Sequence, residues 1–325
     1  MSPTFPTPCL RGRSLLTLAE FTTSELHGLV DHALELKAEK RRRQFPRRLA
    51  QRNIALIFLE PSCRTRASFA VACADEGAHL EVLGRDDLRF GVKESTQDIA
   101  RVLGRLFDGI AMRADDATIA QFAHASGLPV WNALSPLHHP TQVLADAMTI
   151  REAFGHLAGV RIAFVGDGRS NMVTSLALAA ERFGMRLTVV APPARQPGAE
   201  LRAAAPSMRV CADIAAGVDG ADVVYGDIWV SMGHEQHTAR LIAELAPYRI
   251  TADVLRATGN PRAIFLHCLP ALHDDQTQFA RTWPGARDVD DEVLQGPASR
   301  VFDQSENRMH TIKALMVQTV AGAGA

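Results

Sequence analysis

Ser62-Cys63-Arg64-Thr65-Arg66 gathers two hydroxyls, a thiol and two guanidiniums within five residues. The run follows the apolar stretch Ile54-Ala55-Leu56-Ile57-Phe58 and precedes Ser68-Phe69-Ala70-Val71-Ala72. That pattern predicts a buried strand, a short loop and a helix. A helix start presents unpaired backbone N–H groups and the positive end of the helix dipole, so it favours anions. Arginine adds a planar fork of donors for phosphate oxygens, and serine and threonine add short hydrogen bonds. The pentapeptide therefore reads either as a phosphate cradle or as a solvated basic loop with ordinary caps. Further reactive groups follow at intervals: Arg113, His138-His139, Asp167 to Asn171, Asp227 and His267-Cys268.

The elements that must position these groups alternate along the chain. Thr22 and Glu25 are spaced as a capping box for a helix running towards the basic cluster Lys37 to Arg43. Strands are expected at 53–58, Leu80 to Leu83, Gly109 to Met112 and Pro129 to Trp131. Residues 85–94 read as a polar loop. Ser95 and Asp98 suit the cap of a helix carrying Ile99, Val102, Leu103 and Leu106. A helix from Thr141 to Phe154 leads into the break at Gly155 to Gly159. Alternation then restarts with strands at Arg161 to Gly166, Leu187 to Val190, Asp222 to Tyr225 and Ala263 to Leu266, and closes in a helix from Glu306 to Ala321. Two such β-α-β runs predict an α/β protein of two doubly wound parallel-sheet domains joined by a hinge helix near 145–160. The expected division is 1–150, completed by 306–325, and 151–305. In such sheets ligands sit beyond the carboxyl ends of the strands, where the reactive groups fall.

Bulk properties narrow the chemistry. The 325 residues suit about two domains, and 47% hydrophobic with 22% charged residues is ordinary globular composition. A net charge of −1 gives no basic surface for nucleic acid. No stretch stays apolar for the ~20 residues of a membrane span. Five scattered cysteines without a CxxC pair argue against a disulfide framework and for a reducing, cytoplasmic setting. The N-terminus lacks acidic residues before Glu20 and carries Arg11 and Arg13, as a transit peptide does; it lacks a long apolar core, and a mature domain start is the favoured reading.

Three alternatives fit less well. Gly166-Asp167-Gly168 resembles the start of a dinucleotide fingerprint, but Asn171 stands at the third glycine position and no acid follows Val189-Val190. The adjacent pairs His138-His139 and His267-Cys268 lack metal-ligand spacing. Cys268 as a covalent nucleophile needs a base such as His139 or His267, which the sequence does not place beside it.

Taken in order, Ser62 to Arg66, His139-Pro140-Thr141-Gln142, Asp227 to Gly233, His267-Cys268-Leu269-Pro270 and Glu306 to His310 resemble the aspartate/ornithine carbamoyltransferase family. Ser231-Met232-Gly233 and the His267-Cys268-Leu269-Pro270 turn look like its ornithine-specific members. The resemblance runs from Leu10 to the last helix. It implies transfer of the carbamoyl group of carbamoyl phosphate to the δ-amine of L-ornithine, giving L-citrulline and phosphate, with no cofactor or metal. It also implies a homotrimer, or a multiple of trimers, with active sites at subunit interfaces and domains that close.

Carried over residue by residue, Ser62, Cys63, Arg64 and Thr65 hold the phosphate, with Arg113 reaching both phosphate and carbamoyl oxygen. His139 donates to that oxygen, Gln142 binds the carbamoyl amide and Arg308 completes the carbamoyl side. Arg89 stands near the phosphate, and Lys93 is the phosphate contact on the 88–95 segment that reaches a neighbouring subunit. Asn171, Asp227, Ser231 and Met232 match positions that hold the ornithine α-groups. Cys268 and Leu269 lie near the δ-amine, where Asp227 and Cys268 orient and deprotonate it. Arg113, His139, Asp227 and Cys268 form the catalytic set.

The chain departs from the family at Cys63 (usually Thr), Glu60 (commonly Lys), Arg89 (usually Gln), Val173-Thr174 (usually Gly and Asn) and Gly226 (commonly Thr). Pro61-Ser62, Arg89-Phe90-Gly91 and Asn171 to Ser175 are similar to the phaseolotoxin-insensitive branch, which escapes a toxin that mimics the transition state. A transferase for another amine, putrescine or lysine, and a non-catalytic binding protein of the same fold are the alternatives.

Overall fold

A computed structural model describes residues 10–230 and 238–321. The chain divides into two compact units, the first up to Met148 and again from Ser305, the second Thr149–Gln304.

The first unit is a four-stranded parallel sheet of β1 (Asn53–Phe58), β2 (His79–Gly84), β3 (Gly109–Arg113) and β4 (Val130–Leu134), in the order β2-β1-β3-β4. Ile54 to Phe58 are all buried, which is why β1 is central: a strand covered on both faces reads as a continuous apolar run. The chain steps from β1 to β2 on one side and then to β3 on the other. The winding direction therefore reverses between β1 and β3, where Phe58 pairs with Arg113. The expected capping box opens helix Thr23–Arg41: Thr22 N donates to Glu25 Oε2 at 2.7 Å, and Glu25 N donates back to Thr22 Oγ1. Ser95 likewise caps helix Thr96–Leu106, accepting from Asp98 N. Each such cap stabilises by about 1 kcal/mol.

Both ends of the described chain pack on β4. Leu15 bridges to Trp131, Gly12 N donates to Thr319 O, and Trp131 Nε1 donates to Thr319 Oγ1. The closing helix begins at Val301, five residues before the expected start, and ends in a π-helical turn, Val317–Ala321. The expected polar loop at 85–94 instead opens with a helical turn, Arg85–Leu88, because Asp87 Oδ2 accepts from Gly84 N at 2.7 Å.

The second unit is a five-stranded parallel sheet of β5 (Arg161–Val165), β6 (Arg186–Val190), β7 (Arg209–Cys211), β8 (Val223–Gly226) and β9 (Ile264–His267), in the order β7-β6-β5-β8-β9. Its winding reverses between β5 and β8. Strand β7, only three residues long, has no signature that the sequence reading could register. Ala163, Val165, Val224 and Phe265 form the centre of the core. Gly226 pairs with His267, so the residues that follow, Asp227 and Cys268, leave adjacent strands side by side. The chain passes between the units inside helices Pro140–Phe154 and Val301–Met316.

Candidate active site

In the first unit, Ser62 is the N-cap of helix Cys63–Glu76 in an extended conformation, yet its hydroxyl makes no capping bond. The first turn contains no acidic side chain. The dipole end and first-turn N–H groups are thus uncompensated by the helix's own residues, the arrangement that an anion completes. Thr65 is buried, Arg64 half-buried, and Cys63 and Arg66 exposed. Arg113 ends β3 beside β1, and its buried Nε has no hydrogen-bond partner. Burial lowers the Arg113 pKa, Arg64 adds to the shift, and Glu60 opposes it. Glu60 itself pairs with Arg85 at 2.6 Å.

His139 is buried at the start of helix Pro140–Phe154. Burial, then the guanidiniums of Arg308, Arg113 and Arg64, hold its pKa well below 6.5, so the imidazole is neutral at pH 7. One turn on, Gln142 Oε1 accepts from Arg308 Nη1 at 2.9 Å while its Nε2 donates to Asp146 Oδ1 at 2.8 Å. A neutral imidazole, an oriented amide and three guanidiniums therefore serve one region. Asp146, which fixes the Gln142 amide, belongs to no recognisable motif; its spacing one helical turn after Gln142 is the signal that points to it. Arg89 and Lys93 are exposed, and Arg89 Nε donates to the Asp86 carbonyl of its own turn.

In the second unit, Asp227 is buried and its Oδ1 accepts from Ile228 N at 2.8 Å and from Cys268 Sγ at 2.9 Å. Burial raises its pKa; the Cys268 bond, His267, the Ile228 N–H and the Ser170 hydroxyl oppose the shift. Ser170 also caps helix Asn171–Phe183, accepting from Val173 N. Loops after β5, β8 and β9 thus converge on one carboxylate through Ser170, Ile228 and Cys268, and Asn171 follows Ser170 at the first helical position. The Cys268 thiol is thus placed as a hydrogen-bond donor to Asp227.

Behind it lies a pair of residues far apart in the chain, without a local motif. Leu269 N donates to His267 Nδ1 at 2.9 Å, and His267 Nε2 lies 3.4 Å from Asp288 Oδ1 without an aligned hydrogen bond. Burial raises the Asp288 pKa, with His267 opposing. Gln304 Oε1 accepts from His267 N at 2.9 Å. A Cβ at Gly226 would lie 2.9 Å from His267 Cδ2 and from Ile250 Cδ1, so glycine there makes room for the imidazole. Gly168 is likewise closed off by its own chain: a Cβ would lie 2.6 Å from Arg195 O, consistent with a tight turn. Ser231 and Met232, expected on the ornithine side, lie outside the described residues. Among the described residues, no group of three His, Cys, Asp or Glu is arranged to hold a metal ion.

An anion cradle at one switch point and a carboxylate–thiol pair at another define a two-domain α/β group-transfer enzyme. Residues 13–152 match the carbamoyl-P binding domain, and residues 158–319 the Asp/Orn binding domain, of aspartate/ornithine carbamoyltransferase. The chain belongs to the aspartate/ornithine carbamoyltransferase family. It is 52% identical over 320 residues to ornithine carbamoyltransferase 2, phaseolotoxin-insensitive, of Pseudomonas syringae pv. actinidiae, covering 96% of this chain and 98% of the relative. It has the same identity and coverage with ornithine carbamoyltransferase 2, anabolic, of Pseudomonas savastanoi pv. phaseolicola. Among solved structures, ornithine carbamoyltransferase from Pyrococcus furiosus is similar with a TM-score of 0.88 at 34% identity, covering 97% of this chain and 99% of that one.

Proposed function

We propose that the protein transfers the carbamoyl group of carbamoyl phosphate to the δ-amine of L-ornithine, releasing L-citrulline and phosphate. The observation that carries this reading is the neutral His139, at the start of helix Pro140–Phe154, set among Arg64 and Arg113 from the ends of β1 and β3 and Arg308 from the closing helix. Carbamoyl phosphate offers a dianion and a carbonyl that gains negative charge on attack. Ser62, Cys63, Arg64 and Thr65 take the phosphate; Arg113 and the His139 N–H take the developing oxyanion. One lone pair of Gln142 Oε1 is used by Arg308, and the other accepts from the carbamoyl NH2. The new C–N bond forms as the carbon–oxygen bond to phosphate breaks, and the second proton of the attacking nitrogen passes to the departing phosphate, which leaves as the monohydrogen dianion with its charge clamped.

The δ-amine must first lose a proton, since an ordinary alkylamine pKa of about 10.4 leaves it charged at pH 7. Asp227, with its pKa raised by burial, is the acceptor, and Cys268 orients the pair. Asn171, Ser231 and Met232 hold the α-groups, and Leu269 lines the δ-amine. The exposed Arg89 and Lys93 serve phosphate bound on a neighbouring subunit of a homotrimer. A cytoplasmic location fits the reduced state of Cys63, Cys73, Cys211 and Cys268. Insensitivity to phaseolotoxin is supported by the name of the Pseudomonas syringae relative and by the thiol at position 63.

The test is incubation with carbamoyl phosphate and, separately, ornithine, putrescine, lysine or aspartate, with assay of the ureido product. Citrulline from ornithine alone is expected; none from ornithine would sink the reading. Light scattering reads the trimer, and citrulline formation in the presence of a phosphono-ornithine inhibitor reads the insensitivity.

A further inference from the structure

Arg308 enters the carbamoyl half-site from a helix whose rotation must be fixed for the guanidinium to meet Gln142. Besides the Arg308–Gln142 bond, a buried contact and a half-buried one tie that helix to the rest of the first unit. Asn307 Oδ1 accepts from Lys37 Nζ at 2.7 Å, with Asn307 fully buried and Lys37 nearly so. Further along, Lys313 Nζ and Lys40 Nζ both bond Asp75 Oδ2 at 2.6 Å. Burial alone would raise the Asp75 pKa, but the two ammonium groups bring it below the ordinary carboxylate value. Asp75 lies near the end of the helix that begins with the phosphate loop.

The two contacts differ in what they transmit. Lys313 is long and tolerates helix rotation by changing rotamer. Asn307 has only two side-chain torsions, so its amide oxygen tracks the backbone closely. A hydrogen bond to it fixes the helix at the residue preceding Arg308, and Gln142 fixes the guanidinium at its far end.

We infer that Asn307, held by Lys37, is a positioning residue for Arg308 and sets the affinity for the carbamoyl end of carbamoyl phosphate; this rests on the transferase reading above. Misplacing a substrate-binding group by about 1 Å can cost on the order of a hundredfold. Loss of the Asn307 contact should therefore weaken carbamoyl phosphate binding by about tenfold or more.

The experiment is calorimetric titration of the full-length protein with carbamoyl phosphate in the absence of ornithine, for wild type, Asn307→Ala, Asn307→Asp, Arg308→Ala and the Asn307→Ala/Arg308→Ala double variant. Asn307→Asp retains an acceptor for Lys37 and should stay within about threefold of wild type, while Asn307→Ala loses about tenfold or more. In the Arg308→Ala background, Asn307→Ala should have no further effect, the mark of action through Arg308. Equal losses in the Ala and Asp variants, additive losses in the double variant, or a lowered Tm with unchanged carbamoyl phosphate affinity would each overturn the inference. Citrulline formation by wild type is measured alongside. Its absence defeats the transferase reading, whereas the titration still judges the role of Asn307.

Discussion

The two half-sites handle charge in opposite ways. The carbamoyl side concentrates cations: Arg64, Arg113 and Arg308 surround an imidazole that they help to keep neutral. The amine side buries acids: burial pushes up the pKa of both Asp227 and Asp288, with the Cys268 thiol donating to the first and the His267 imidazole 3.4 Å from the second. One region is organised to receive negative charge without moving a proton, the other to accept a proton. The division follows the reaction, in which a dianion is held still while an ammonium group is deprotonated.

The largest expected effect comes from removing the proton acceptor. Asp227→Asn should lower kcat by about 10²–10⁴-fold while leaving carbamoyl phosphate binding intact by calorimetry. A parallel loss of that binding would break the division. Arg113→Gln should act on the other side, lowering kcat by about 10²–10³-fold and raising KM for carbamoyl phosphate. Its failure to raise that KM would show that the orphaned Nε of Arg113 is not aimed at substrate.

Acid should separate the two units by sign. His32 and His310 are both held down to about 4, mainly by burial, and His139 well below 6.5. As pH falls below 6.5, the unfolded chain takes up protons that these folded-state histidines refuse, so the first unit loses stability down to about pH 4. Asp227 and Asp288 titrate above their ordinary value of 3.8, so they bind protons more readily folded than unfolded. Their ionised forms burden the second unit at neutral pH, and the burden lifts as pH falls through those raised values. Hydrogen exchange at pH 7 and pH 5 should show protection lost first around His32 and His310, with a Tm decrease of a few degrees. Earlier loss in the second unit would refute the assignment of sign. The smallest effect is expected from Cys63→Thr. A hydroxyl is a stronger donor than a thiol, so carbamoyl phosphate should bind a few-fold more tightly, by roughly 1 kcal/mol or less. Unchanged affinity and unchanged inhibitor response would remove Cys63 from the cradle.

What could be read from sequence was what lies at strand ends. Arg64, Arg113, Asp227 and Cys268 each follow a short apolar run, and parallel topology brings such positions together within each sheet. Glu25 and Asp98 likewise declared their helix starts by local spacing. What stayed hidden depends on residues distant in sequence. The arginine share of the depressed His139 pKa comes partly from Arg308, far along the chain, and the approach of His267 to Asp288 joins a strand end to a loop bridge without any local motif. The turn at Arg85–Leu88 is not legible from sequence because a single helical turn has no periodicity to detect. Its one clue was Asp87, three residues after Gly84.

The pinning of the closing helix onto β4 has a consequence for biosynthesis. The first unit is discontinuous, and the segment bearing Arg308 leaves the ribosome after all of Thr149–Gln304. At about 5–20 residues per second, the nascent first unit waits on the order of ten seconds for the segment that completes it. During that time Trp131 and the faces of helices Thr23–Arg41 and Cys63–Glu76 lack the covering that Asn307, Lys313 and Thr319 later provide. A stalled chain ending before Ser305 should therefore be able to fold its second unit while remaining a client for chaperones at its first.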